Sequence, residues 1–206
     1  MLKFFISVVV LAAVIGGCAG IYHLYKVKAK NAAEMAKFES EVPFTADLGK
    51  VLVAYYSLSG HTKDIALQIA QKTNADIYKI ETVKEYTSPS VYMVSKKELA
   101  NKNYPELKDK TLPNVKEYDT VFIGGPVWWY TMAPPLFSFL NKVDLSGVRT
   151  VPFSTQGSNF GKFFTDFAAE AKNANILQSE NFNNVEEKYA SEVSNKINAW
   201  LNKLGK

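Results

Sequence analysis

Val51-Leu52-Val53-Ala54-Tyr55-Tyr56-Ser57-Leu58-Ser59-Gly60-His61-Thr62 is the stretch that decides the fold. Six apolar or aromatic residues run without a break and stop at a cluster of turn residues. A strand with one wet face would alternate apolar and polar side chains. A short continuous run bounded by a turn predicts a strand buried on both faces, as in a parallel sheet. Residues 62–73 then read as a helix, because Ile65 and Ile69, like Ala66 and Ala70, fall four apart and share one inward face.

The same alternation continues along the chain. Residues 76–80 mix Asp76 and Lys79 with Ile77, Tyr78 and Ile80, the composition of an edge strand. Ser88-Pro89 reads as an N-cap followed by Pro at the first helical position, with the helix running to about residue 102. Residues 103–118, polar and holding two prolines, read as a loop. Thr120-Val121-Phe122-Ile123-Gly124 is a third strand, and a helix carrying Leu136, Phe137 and Leu140 follows Pro134-Pro135. Thr150-Val151-Pro152-Phe153-Ser154 is a fourth strand, whose proline points to a bulge. Residues 161–172 are helical, Ile176-Leu177 marks a short fifth strand, and a terminal helix spans 185–204 with Val185, Tyr189, Val193, Trp200 and Leu204 roughly on one stripe. Strands and helices in strict alternation, joined by right-handed crossovers, predict an α/β doubly wound parallel sheet. Such sheets bind ligands beyond the C-terminal ends of their strands, so the chemistry is expected after strands one, three and four.

Three loops stand there. Ser57, Ser59, Gly60, His61 and Thr62 supply three hydroxyls, a glycine and the free N–H groups of a helix start, a cradle for an anion. The loop lacks the Gly-Lys-Ser/Thr of a nucleoside-triphosphate site and holds no Lys or Arg, which suits a buried phosphomonoester. The plainer alternative is a polar turn capping a helix. After strand three comes Gly124-Gly125-Pro126-Val127-Trp128-Trp129-Tyr130. Three successive aromatics are costly to expose unless they stack on a flat ring or plug a core, and one of Trp128 and Trp129 is expected in the core. After strand four, Thr155, Gln156 and Gly157 open a polar, glycine-rich loop suited to the edge of a heterocycle.

On these motifs the sequence resembles the flavodoxin family, and more closely a branch with a double-Trp loop. The resemblance rests on VLVAYYSLSGHT, IGGPVWWYTMAPPLFSFL and VPFSTQGSNFGK and covers about residues 50–201. It implies a five-stranded sheet in the order 2-1-3-4-5 and bound FMN. In that frame Ser57, Ser59, Gly60, His61 and Thr62 surround the phosphate. Pro126, Val127, Trp128 and Trp129 flank the isoalloxazine, and Thr155, Gln156 and Gly157 face its polar edge. His61 departs from the small polar residue common at its step. No Ser–His–Asp set or carboxylate pair is evident, so no catalytic acid or base is assigned and the flavin carries the chemistry. The implied activity is electron transfer or flavin-dependent reduction, as carrier or oxidoreductase. The donor would be a reduced nicotinamide or a redox partner protein, and a quinone or a membrane redox protein would be the acceptor if the N-terminal segment tethers the chain to a membrane. A cofactor-free binding or scaffold module of the same fold is the rival reading.

Composition narrows the rest. The 206 residues are 47% hydrophobic, enough for one buried core and an appendage. From residue 50 onward 19 Lys and Arg face 16 Asp and Glu, a mild excess with no clustered run, so no nucleic-acid partner is expected. Flavodoxin carriers are typically acidic, and this chain is not. One cysteine, Cys18, and two histidines, His23 and His61, exclude an internal disulfide and argue against a metal site.

The chain divides into an anchor or signal segment at 1–25, a linker or stalk at 26–48 and the α/β domain at 49–206. The uncharged run at 4–22 is long enough to span a bilayer as an apolar helix. It reads as an uncleaved single-pass anchor, as a cleaved signal, or as a lipoprotein signal in which Ile15-Gly16-Gly17-Cys18 presents Cys18 for lipidation. Lys26, Lys28 and Lys30 on its C-terminal flank place the domain in the cytoplasm under the anchor reading. Lipidated Cys18 would place it outside. Residues 26–41, rich in Ala, Lys and Glu, read as a helical extension.

Overall fold

The computed structural model describes residues 2–183 and 186–205, and of residues 2–13 the backbone alone. A long helix, α1 (Leu2–Met35), precedes β1 (Val51–Tyr55), α2 (His61–Thr73), β2 (Asp76–Lys79) and α3 (Val91–Asn101). Next come β3 (Thr120–Trp128), β4 (Thr131–Met132), α4 (Pro134–Leu140), β5 (Arg149–Gln156) and α5 (Phe163–Glu170). The short strands β6 (Asn175–Ile176) and β7 (Glu180–Asn183) and the helix α6 (Ala190–Asn202) complete the chain.

The central sheet runs β2-β1-β3-β5-β6, all parallel, with β4 pairing antiparallel to β3 and β7 pairing parallel to β5. Strand periodicity sorts the apolar run at once. Leu52 and Ala54 point to one face, where they join Val121, Ile123, Leu136, Phe139, Phe163 and Phe167 beneath α4 and α5. Val51, Val53 and Tyr55 point to the other, packing with Ile65, Ile69, Phe122, Phe153, Ile197 and Trp200 beneath α2 and α6. β2 has β1 as its strand partner and exposes Asp76 and Lys79, as expected of an edge.

Among the described residues the sheet has seven strands, not the expected five, and Pro152 accounts for part of the difference. The carbonyl of Thr150 accepts from the Leu177 N–H (2.9 Å), so Thr150 faces β6 and Pro152, two residues on, faces the same side. Proline offers no N–H there, and the pairing breaks between Ile176 and Glu180. From the pair Thr150↔Ile176 to the pair Phe153↔Glu180, β5 advances three residues and its neighbour four. The irregularity predicted for the proline strand therefore falls on its partner, which divides into β6 and β7, while β5 keeps its register with β3. The seventh strand is β4, which folds back on the extended end of β3.

Two helix boundaries also differ. The Ser88–Pro89 peptide is cis, and α3 begins at Val91 with Ser90 at its N-cap. The terminal helix begins at Ala190 after a turn of 3-10 helix, and Val185 lies outside the described residues. Val193, Trp200 and Leu204 are buried as the stripe required.

The segment after α1 straps along α6. Asn195, Asn198 and Asn202 bond the backbone of residues 38–46, including Asn202 Nδ2 to the Pro43 carbonyl (2.9 Å) and the Thr45 N–H to Asn202 Oδ1 (2.9 Å). Among the described residues no helix is long and apolar enough to cross a membrane. Much of the run at 4–22 belongs to residues whose side chains lie outside that set.

Candidate functional site

Three turns converge where β1, β3 and β5 end. After β1 the chain turns into α2 through residues 57–60. Ser57 Oγ accepts from the Gly60 N–H (3.2 Å), and the Gly60 carbonyl accepts from the Asp64 N–H (2.9 Å), so the turn closes on itself. Gly60 sits at φ 102°, a conformation that a side chain disfavours, and a Cβ there would meet nothing within 4 Å. The N–H groups of His61, Thr62 and Lys63 precede the first intrahelical bond, so they and the Ser59 hydroxyl form a neutral donor set at the positive end of α2. Thr62 turns inward instead: its hydroxyl bonds that of Thr155 across 2.7 Å, tying the first turn to the third.

The second turn is a hairpin. Val127 pairs with Met132 and Trp128 with Thr131, leaving Trp129 and Tyr130 as a two-residue loop with φ 52° and 62°. Two successive positive φ values are the type I′ geometry that suits strand twist, normally held by Asn-Gly. Left-handed Trp and Tyr cost roughly 1–2 kcal/mol each. The hairpin sends the adjacent indoles in opposite directions. Trp128, 9% exposed, joins the core edge-on to Tyr56 and Tyr86 (ring centroids 5.7 and 5.1 Å). Trp129, 44% exposed, forms a wall. Helix α3 fixes that wall: Trp129 Nε1 donates to the Tyr92 carbonyl (3.0 Å) and to Ser95 Oγ (3.1 Å), and Lys96 Nζ stands 5.1 Å from its ring centre. The third turn braces the hairpin, because the Lys162 N–H donates to the Tyr130 carbonyl (2.7 Å) and Gly161, at φ 55°, presses against that carbonyl.

In the third loop the Gln156 amide is held at both ends. Ser154 Oγ donates to Oε1 and Nε2 donates to Asn181 Oδ1, each at 2.9 Å. A Cβ on Gly157 would meet nothing within 4 Å.

One cleft of about 490 Å3 collects these parts. Its lining includes Ser59, His61, Pro126, Val127, Trp128, Trp129, Thr155, Gln156 and Gly157, nine of the twelve residues singled out in the sequence. The other three stand apart from its wall: Gly60 forms the turn, Thr62 lies buried beneath it, and Ser57 faces a neighbouring cavity. Among the described residues, Tyr92, Phe182 and Glu186 complete the lining. Sequence reading passed over them, since Tyr92 sits on a helix given no role and Phe182 on a strand too polar to recognise. The volume lies within the roughly 300–1,000 Å3 of small-molecule sites.

Behind the cleft the phenols of Tyr56 and Tyr86 are pushed well above their ordinary range. Burial is the main cause for both, reinforced for Tyr56 by the nearby Glu98 and Glu85 charges and for Tyr86 by its bond to Glu98 (2.6 Å). Both rings therefore stay neutral at physiological pH. His61 is exposed at the rim.

A family model described as Flavodoxin matches residues 50–204. A protein of Bacteroides eggerthii, provisionally described as a flavoprotein, is 30% identical with a TM-score of 0.63, covering 74% of this chain and 96% of its own. A Bacteroides uniformis protein described in the same way is 26% identical, with TM-score 0.63 and coverage of 74% and 97%. A flavoprotein of Lactobacillus acidophilus, solved in complex with FMN, shares the fold at 22% identity, TM-score 0.58 and coverage of 65% and 93%. None of the curated proteins matches the chain.

Proposed function

Because this chain belongs to the flavodoxin family, we propose that its cleft binds FMN and that the protein transfers electrons through it. The observation that carries the reading is the shared wall: Ser59 of the anion turn and Trp129 of the hairpin line one cleft of about 490 Å3. The residues suit the group. Neutral N–H and hydroxyl donors with open space over Gly60 accept a phosphomonoester, Trp129 offers a flat face, and Gly157 leaves room at the loop edge. When bound, FMN supplies one- and two-electron chemistry.

The chain's own residues do the positioning. The α2 N-terminus and Ser59 hold the phosphate end. Trp129, pinned by Tyr92 and Ser95, fixes the ring plane and sheds water from one face. The backbone of residues 156–157 meets the polar edge on a loop made rigid by the Gln156 bonds. No side chain is assigned a proton-transfer step.

The run at 4–22 supports a membrane tether, by a single-pass helix or by lipid on Cys18, and that location supports a quinone or a membrane redox protein as acceptor. A reduced nicotinamide or a partner protein would be the donor. The test is the visible spectrum of the purified chain with and without added FMN. Bound flavin with quenched fluorescence is expected. A colourless protein that leaves FMN fluorescence unquenched would favour a scaffold role.

A further inference from the structure

The buried Lys196 lies on α6, outside the cleft, yet its contacts lead into it. It is 2% exposed, and its ammonium pairs with Glu34 of α1 and with Glu180 of β7 (3.3 Å). The same ammonium donates to the Asn181 carbonyl (2.5 Å) and stands 4.9 Å from the Phe182 ring centre. Asn181 and Phe182 are successive residues of β7. The Asn181 side chain holds the Gln156 amide, and Phe182 lines the cleft. One ammonium thus joins the N-terminal helix to the strand that supports the loop at the cofactor's polar edge.

β7 meets that ammonium at Glu180 and at the Asn181 carbonyl, while Phe182 packs into the core. It is four residues long, pairs with β5 on one side, and begins just beyond the break opposite Pro152. Lys196 meets it from the flank, and Glu34 meets Lys196. A second cavity, also about 490 Å3, lies between α1 and the β5–α5 loop; its lining includes Lys30, Glu34, Lys37 and Phe160, and it shares Gln156 with the cleft. The docked part of α1 therefore reaches the cofactor end of the sheet.

We propose that docking of α1 through Glu34 and Lys196 is coupled to occupancy of the cleft, with Lys196 a positioning residue for the Gln156 loop. The inference rests on the FMN reading above. Removing one carboxylate from a buried ammonium leaves its charge under-compensated, and the partners that remain to Lys196, Glu180 and the Asn181 carbonyl, both lie on β7. Linkage makes the coupling reciprocal: if docking tightens FMN binding by a factor, FMN tightens docking by the same factor.

The experiment uses the full chain. FMN affinity is measured by fluorescence quenching, and the flavin absorption bands are recorded, for wild type, Glu34→Gln, Lys196→Met and Asn202→Ala. Glu34→Gln keeps shape and hydrogen bonding while removing the charge, so it tests the idea even where Lys196→Met fails to fold. Asn202→Ala cuts strap bonds to Thr45, Ala46 and Pro43 but touches no β7 residue. The expected result is about 10-fold weaker FMN binding for Glu34→Gln, within the ~5–150-fold range of such couplings, with shifted bands, while Asn202→Ala keeps wild-type affinity. Trypsin cleavage at Lys30 and Lys37 should slow by a matching factor when FMN is saturating. Wild-type affinity in Glu34→Gln, or equal weakening in Asn202→Ala, would overturn the coupling while leaving FMN binding intact. A wild-type chain that binds no FMN would remove the cofactor reading and this inference together.

Discussion

The Thr62–Thr155 hydroxyl pair ties the turn after β1 to the third loop, and its strength can be worked out. The two residues are 1% and 5% exposed and their oxygens lie 2.7 Å apart. Replacing either by Val keeps the shape, so no cavity forms. One more apolar carbon gains at most about 0.8 kcal/mol, while stranding the remaining buried hydroxyl costs about 1–3 kcal/mol. Each single variant should therefore lose roughly 1 kcal/mol. Replacing both strands nothing, so the double variant should match or exceed wild type, a coupling near 2 kcal/mol. Urea unfolding followed by tryptophan fluorescence reads this directly. With a slope of about 2 kcal/mol/M, each single variant shifts the midpoint down by roughly 0.5 M and the double variant restores it. A double variant whose loss equals the sum of the singles would show that the hydroxyls do not bond, and the junction of the two loops would need another explanation.

Three further outcomes follow from the geometry. Trp129→Ala should weaken FMN binding by roughly 10-fold with little change in urea midpoint, whereas Trp128→Ala, in the Tyr56–Tyr86 cluster, should cost about 3–5 kcal/mol of stability; equal behaviour of the two would contradict their opposite directions. Gly161→Ala places a Cβ 2.3 Å from the Tyr130 carbonyl at φ 55°, so a loss of about 2–3 kcal/mol is expected, and a wild-type melting temperature would refute it. Because burial raises the Tyr56 and Tyr86 phenols, the folded chain keeps protons that the unfolded chain releases above about pH 10. Their contribution is then complete below that pH and is lost as pH climbs. Tyr86→Phe should flatten the alkaline fall in denaturation midpoint, and an unchanged slope would count against it.

Much of this architecture can be read from residue pattern alone, because β1, β3 and β5 are buried on both faces and spell that out as unbroken apolar runs. α2 shows its inward face through Ile65 and Ile69. What escaped notice follows other rules. β7 is Glu-Asn-Phe-Asn, with Phe182 its single apolar residue, so it lacks the unbroken run that marks β1, β3 and β5, and β4 is two residues long. The break beside Pro152 depends on which neighbour its missing N–H faces, and strand order alone does not give that. The adjacent indoles could be divided between core and wall in advance, but which went where depended on the register of a hairpin whose turn residues are atypical. For the cleft, the residues on the three turns were recognisable by type. Tyr92 and Phe182 belong to elements whose link to the site is purely spatial.

The Trp129–Tyr130 turn sets two design goals against each other. A library sorted only for heat tolerance would drift toward Asn-Gly at these positions, relieving both left-handed residues at once. The survivors would be sturdier and would lack the indole that faces the cleft. Breeding a hardier version of this molecule therefore requires sorting for ligand retention in every round, or leaving these two codons out of the library.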